Sequence, residues 1–183
     1  MSLNISFGAL PPRTKQISHK LIIGARQQWS GLKMLQKEEN VSCVIDLRNR
    51  KDYKQFFEKL FCKFTGLKYI NFPVELAKKK KISPEIFNKI FELIQNNKNG
   101  KTFVHCNSGI HRSLFVAAMV KFRDGAIKTK QEFCEFLQNN DFYKLKKKVR
   151  CGFKIALTPE DRKIRIDNLN YQLQEFWKIL TKK

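Results

Sequence analysis

The decapeptide VHCNSGIHRS, residues 104–113, gathers a cysteine, two histidines, a glycine, an arginine and two serines. A cysteine becomes a strong nucleophile as the thiolate, and positive surroundings favour that form. Arg112 offers a planar fork that matches two oxygens of a phosphate. Gly109 lets the backbone curl tightly and approach a ligand closely. Ser113 can hydrogen-bond the sulfur when it later acts as a leaving group. Residues Asn107, Ser108, Gly109, Ile110 and His111 would present their amides to the same anion. The chemistry these types can do together is phosphate binding over Cys106, followed by attack of its thiolate on phosphorus. His105 is read as orienting the cysteine through hydrogen bonds rather than touching substrate.

That chemistry needs a scaffold, and the flanking periodicity describes one. KTFVHC (101–106) reads as a short central strand, and HRSLFVAAMVKFRDG (111–125) as a mostly apolar, hence buried, helix. The loop between them sits where a strand's C-terminal end meets a helix N-terminus. Free N–H groups and the helix dipole favour an anion there. Further strands are expected over 19–26, 41–48 and 68–74. Helices are expected over 27–40, 51–66, 83–100, 129–140 and 158–183. In 27–40 the spacing puts Trp29, Leu32 and Leu35 on the buried face. In 51–66 Phe56, Phe57, Leu60, Phe61 and Phe64 recur at helical spacing, and the run stops at Gly66. Ser83 is a candidate cap with Pro84 in the first turn, and Thr158 with Asp161 resembles a capping box. Segment 141–157 shows no readable period. Strands alternating with helices imply an α/β fold with a central, mostly parallel sheet flanked by helices, in one domain over 1–183.

Cysteine, five residues, arginine, then serine or threonine is the signature of the cysteine-dependent protein tyrosine and dual-specificity phosphatases. The chain resembles that superfamily from Cys106 to Ser113 and, through VIDLR and YINFPV, over roughly 17–140. It is more similar to the small dual-specificity and bacterial forms than to the large classical enzymes. The resemblance implies a dual-specificity-phosphatase-like fold with a C-terminal basic segment and long helix added over 141–183. It implies hydrolysis of phosphomonoesters through a phosphocysteine, with Cys106 as nucleophile and Arg112 and the loop amides on the phosphate. No metal and no cofactor is expected.

The family also uses an aspartate as general acid, on a loop roughly 30 residues before the cysteine. Here that region is NFPVELAKKKKISPE, which contains no aspartate. Glu75 stands closest to the expected place; Asp141 and His111 are the other candidates, and a site without a strong acid is the remaining reading. Lys78 and Lys79, in a run to Lys81, fall in the same loop and would read neighbouring phosphates on a polyanionic substrate. KLKKKVR (144–150) could add to them. Asp46 and Arg48 end the neighbouring strand and read as a structural pair, with a second phosphate as the alternative partner of Arg48. Cys43 and Cys151 are the candidates for a disulfide protecting an oxidised Cys106.

Composition narrows the partners. The 183 residues carry a formal charge of +21, with 37 Lys and Arg against 16 Asp and Glu. Such a field attracts polyanions. The expected substrates are a phosphoprotein (Tyr or Ser/Thr) or a phosphoinositide, and association with an anionic membrane surface is a further expectation. Nucleic acid ranks below these, because few aromatics are evidently exposed for base stacking. A pseudophosphatase that holds phosphorylated partners without turnover, or a basic nucleic-acid-binding protein, would be the alternative. Five cysteines without a CxxC pair argue against a disulfide framework or zinc site. No transmembrane segment or signal peptide is read, so a reducing cytoplasmic setting is expected, with non-classical export as the other route.

Overall fold

A computed structural model describes residues 10–49, 52–74, 83–142, 148–150, 153–155 and 158–181. Five strands form one sheet: β1 (Thr14–Gln16), β2 (Leu21–Ala25), β3 (Val41–Asp46), β4 (Lys68–Asn71) and β5 (Lys101–Cys106). Their spatial order is β1-β2-β5-β3-β4. The last four run parallel, and β1 pairs antiparallel with β2. The sheet is therefore mostly parallel, as expected. The short edge strand β1 is an addition, since its sequence TKQ carries no strand period.

β2, β3 and β5 are buried on both faces, which is why they read as continuous apolar runs. One face is covered by α1 (Trp29–Glu38) and α2 (Tyr53–Thr65). The other is covered by α3 (Pro84–Asn96), α4 (Arg112–Arg123), α5 (Lys130–Gln138) and α6 (Pro159–Thr181). The larger core lies on this second face, where Phe176 of α6 meets the rings of Phe87, Phe115 and Phe133. Ser83 caps α3 by accepting from the Ile86 N–H, and Thr158 accepts from the Asp161 N–H. Within the unreadable 141–157, β6 (Lys148–Arg150) and β7 (Phe153–Ile155) pair as an antiparallel hairpin.

The expected buried face of α1 holds at Leu32 and Leu35 but not at Trp29, and the apolar spacing of α2 does not mark its buried face. Trp29 is exposed, and α1 buries only Leu32 and Leu35. In α2 the buried residues are Gln55, Glu58 and Cys62, while Phe56, Phe57 and Phe64 face solvent. The helix is turned roughly half a revolution from its apolar pattern. The cause is beneath it: the sheet presents buried charges to α2, and these need polar partners more than the phenyl rings need cover. Leaving a buried charge unpaired costs roughly 3–5 kcal/mol, against about 1.5–3 kcal/mol gained by burying one Phe.

Candidate active site

β5 is the central strand, and its register sets the site. Ala25 of β2 stands beside Cys106, and Asp46 of β3 beside His105. The chain then turns through residues 107–111 into α4, whose first residue is Arg112. His111 makes no side-chain cap at this helix end, and no acid occupies the first turn, so the end keeps its positive character.

Gly109 has φ +77°, and a Cβ there would lie 2.5 Å from Ala25 N and 2.6 Å from the Gly24 carbonyl carbon. Only glycine lets the loop lie this close to β2. Its N–H donates to Cys106 Sγ at 3.2 Å. Ser113 Oγ stands 3.7 Å from the same sulfur. Arg13, itself at φ 63°, donates to Ser108 O at 2.6 Å and fastens the outer side of the loop to the N-terminal edge strand. Sequence reasoning missed Arg13, because nothing in LPPRTK marks a residue 95 positions away from its partner.

Arg112 Nη1 donates to Leu47 O at 2.9 Å and Val74 O at 3.3 Å. That anchorage uses the two Nη1 protons and leaves the Nε–Nη2 edge for two phosphate oxygens. Burial opposes ionisation of Cys106, but the Arg112 charge, the Ser113 N–H and hydroxyl and the Gly109 N–H outweigh it and hold the thiol at about 7. At neutral pH a large fraction is thiolate.

Side chains alternate along a strand, so His105 points to the opposite face. Its Nε2 lies 3.0 Å from Glu58 Oε1 and its Nδ1 3.9 Å from Asp46 Oδ1. Burial resists its charging, yet the Glu58 and Asp46 carboxylates raise its pKa. Arg48 closes the cluster: Nε and Nη2 grip Asp46 at 2.8–3.1 Å, and Nη2 also pairs with Glu58. Asp46 further accepts from Gln55 Nε2 and the Tyr69 hydroxyl at 2.9 and 2.7 Å. Burial would raise the Asp46 carboxyl, but the bonds from Arg48 and the nearby His105 charge dominate and hold it at about 2. Arg48 is therefore a structural group, and the second-phosphate role does not fit it. Asp46, Glu58 and His105 stand close enough together to chelate a cation, but the Arg48 guanidinium already supplies the positive charge among them. The near partners of the His105 ring are these carboxylates on β3 and α2, whereas the hydrogen bonds to Cys106 Sγ come from Gly109 and Ser113, so the expected orienting bonds from His105 to the cysteine are replaced by an anchorage on the opposite face. Glu58 was hidden in the sequence by the phenylalanines around it.

The acid candidates separate. Glu75 lies outside the described residues, as do Lys78, Lys79 and the rest of their run, and Lys144 to Lys147 with Cys151. His111 is in the loop, its ring edge-on to Phe142 at 5.6 Å. Asp141 directly precedes Phe142, so both alternatives lie on the α5 side of the loop. Cys43 is out of reach of Cys106: it pairs in register with Thr102, about 13 Å back along the strand, where a disulfide needs less than about 7 Å. The expectation of few exposed aromatics is also wrong. Trp29, Tyr53 and Phe57 line a cleft of about 500 Å³ between the N-terminal ends of α1 and α2, together with Arg26, Lys54 and Glu58. The objection to an RNA substrate on that ground falls away.

The family model described as a DSP-PTPase phosphatase fused to NAD+ kinase matches residues 11–150. No curated protein matches the chain. Among solved structures, the chain is similar to the core catalytic domain of the PP-IP phosphatase SIW14 from S. cerevisiae, with TM-score 0.61, 15% identity, and coverage of 88% of this chain and 95% of that one. TpbA of P. aeruginosa gives 0.59 at 14% identity, covering 92% and 91%. PTPMT1 in complex with PI(5)P gives 0.60 at 17%, covering 92% and 96%. At these identities the structural likeness speaks for the fold.

Proposed function

The chain belongs to the family of DSP-PTPase phosphatases fused to NAD+ kinase and is a cysteine-dependent phosphatase, and we propose that it hydrolyses phosphomonoesters of a phosphoprotein or phosphoinositide through a phosphocysteine intermediate. The observation that carries this reading is Cys106 Sγ held by the Gly109 N–H beside Ser113, with Arg112 braced through Nη1 on the Leu47 and Val74 carbonyls.

The substrate phosphate lies over the loop, and Arg112 and the amides of 107–112 bind its equatorial oxygens. The Cys106 thiolate attacks phosphorus in line, forming the S–P bond as the P–O bond to the leaving group breaks. Charge passes through the transition state on those equatorial oxygens, where fixed donors act most strongly. A general acid gives the leaving oxygen its proton: Glu75 first, with Asp141 or His111 in its place otherwise. Water then attacks phosphorus, giving its proton to the acid deprotonated in the first step; the new P–O bond forms as the S–P bond breaks, phosphate departs, and Ser113 hydrogen-bonds the returning thiolate. The charge of +21 and the run Lys78–Lys81 support a substrate bearing more than one phosphate. The names of two fold neighbours, a PP-IP phosphatase and a PI(5)P complex, lie in the same direction.

The test is phosphate release from an aryl phosphate, phosphotyrosine and phosphoserine peptides, short-chain phosphoinositides and a 5′-phosphorylated RNA, with Cys106→Ser alongside. Turnover of a phosphoinositide or phosphopeptide that vanishes in the variant is expected. Turnover of the aryl phosphate alone means that no strong acid serves the site. Binding of phosphorylated ligands with no turnover anywhere replaces the enzyme reading with that of a phosphate-binding pseudophosphatase.

A further inference from the structure

α2 is amphipathic in the wrong sense for a helix that only packs on a sheet. At about 100° per residue, Gln55, Glu58 and Cys62 share the inward face, as their burial shows. The opposite arc, roughly 100° wide, carries Phe56, Leu60, Tyr53, Phe64 and Phe57 in angular order. Tyr53, Phe56 and Phe64 are 67%, 63% and 80% exposed. Lysines border the arc on both sides: Lys59 and Lys63 on one, Lys54 on the other, all exposed. The acid within the helix, Glu58, is turned inward and paired. Trp29 extends the surface from α1, 56% exposed and stacked on Phe61 at 5.9 Å.

We propose that the outward face of α2 is a docking surface for an anionic phospholipid bilayer, with the helix lying in the plane of the headgroups. Phenyl rings on the outermost line enter the acyl boundary, tyrosine and tryptophan suit the interface, and lysines bent to either side reach lipid phosphates. Charge complementarity selects this occupant. Each lysine near an anionic leaflet contributes about 1 kcal/mol, and three lysines against one exposed acid, the N-cap Asp52, leave this face basic, so that it would repel an equally basic second copy of the chain. The 13-residue helix presents about 20 Å of such surface, and its N-terminal end lies at the sheet edge where Leu47 receives Arg112. Docking would bring that edge to the headgroups. The inference stands on α2 and does not depend on the substrate reading.

The experiment is flotation of the full chain with vesicles of phosphatidylcholine alone and of phosphatidylcholine mixed with phosphatidylglycerol. The wild-type chain is expected to float with the mixed vesicles and not with phosphatidylcholine, and less at high salt. The double variant Phe56→Ser/Phe64→Ser should lose about tenfold or more of its partitioning while keeping its melting temperature and its aryl phosphate turnover, since both rings are already in water. Equal flotation of the double variant would overturn the proposal, because charge alone would then explain binding. So would a dimer in the wild type that the double variant abolishes without any vesicle binding, since a second copy would then be the occupant. Failure of aryl phosphate turnover in the wild type would bear on the enzyme reading and leave the flotation result standing.

Discussion

Cys106 and His105 are neighbours in β5 and open onto opposite environments. On the Cys106 side, the Arg112 guanidinium, the Gly109 amide and a helix end with no acid in its first turn converge. On the His105 side, two basic groups meet two carboxylates, and Asp46 is bonded by Arg48, Gln55 and Tyr69. The first arrangement is electrostatically incomplete, and an anion over the loop, as proposed, would complete it. The second is already complete and serves as a foundation. Both are buried and charged, so burial and charge alone do not identify a site; the surplus of donors does.

The contrast can be broken at either side. The largest effect is expected from Cys106→Ser, which should lower turnover on the order of 10³-fold or more while phosphate-containing ligands still bind. Next is Arg112→Lys, which keeps a charge but loses the fork; steady-state kinetics should show kcat down roughly 10²–10³-fold. On the other side the loss should fall on stability. Glu58→Ala leaves His105 and Arg48 short of a buried carboxylate and should cost roughly 3 kcal/mol in denaturant titrations, whereas Arg112→Ala should cost about 1 kcal/mol. A larger stability loss at Arg112 than at Glu58 would reverse the assignment of roles.

Two pH measurements sharpen the same division. Cys106 is held at about 7, below its ordinary value, so its alkylation by iodoacetamide should rise with pH through a midpoint near 7. Cys43 and Cys62, pushed by burial up to about 11 and about 12, should stay unreactive in the native protein. Asp46 is depressed to about 2. Its contribution to stability is then present above its unfolded value of about 3.9 and is lost as pH falls through about 2. Stability that holds constant from pH 4 to 2 would mean that the cluster is not ionised as described.

Much of the candidate site was legible because its motif is local. Cys106, Gly109, Arg112 and Ser113 lie within eight residues, and the apolar strand before them and buried helix after them place the turn at a sheet edge. The strands buried on both faces were legible for a similar reason, since an unbroken β-branched run has few other homes. The short strands β1, β6 and β7 were not, because three residues carry no period.

The sequence by itself determined the four parallel strands, the helices between them, and the loop with its candidate nucleophile Cys106. Only the tertiary structure decided which face of α2 is buried, which group Arg48 serves and that Arg13 holds the loop. These depend on partners far apart in the chain. A helical period counts apolar residues and does not register that a strand elsewhere offers charges in need of partners. In α2 that electrostatic demand outweighed the hydrophobic pattern, set Glu58 against His105 and turned the phenylalanines outward.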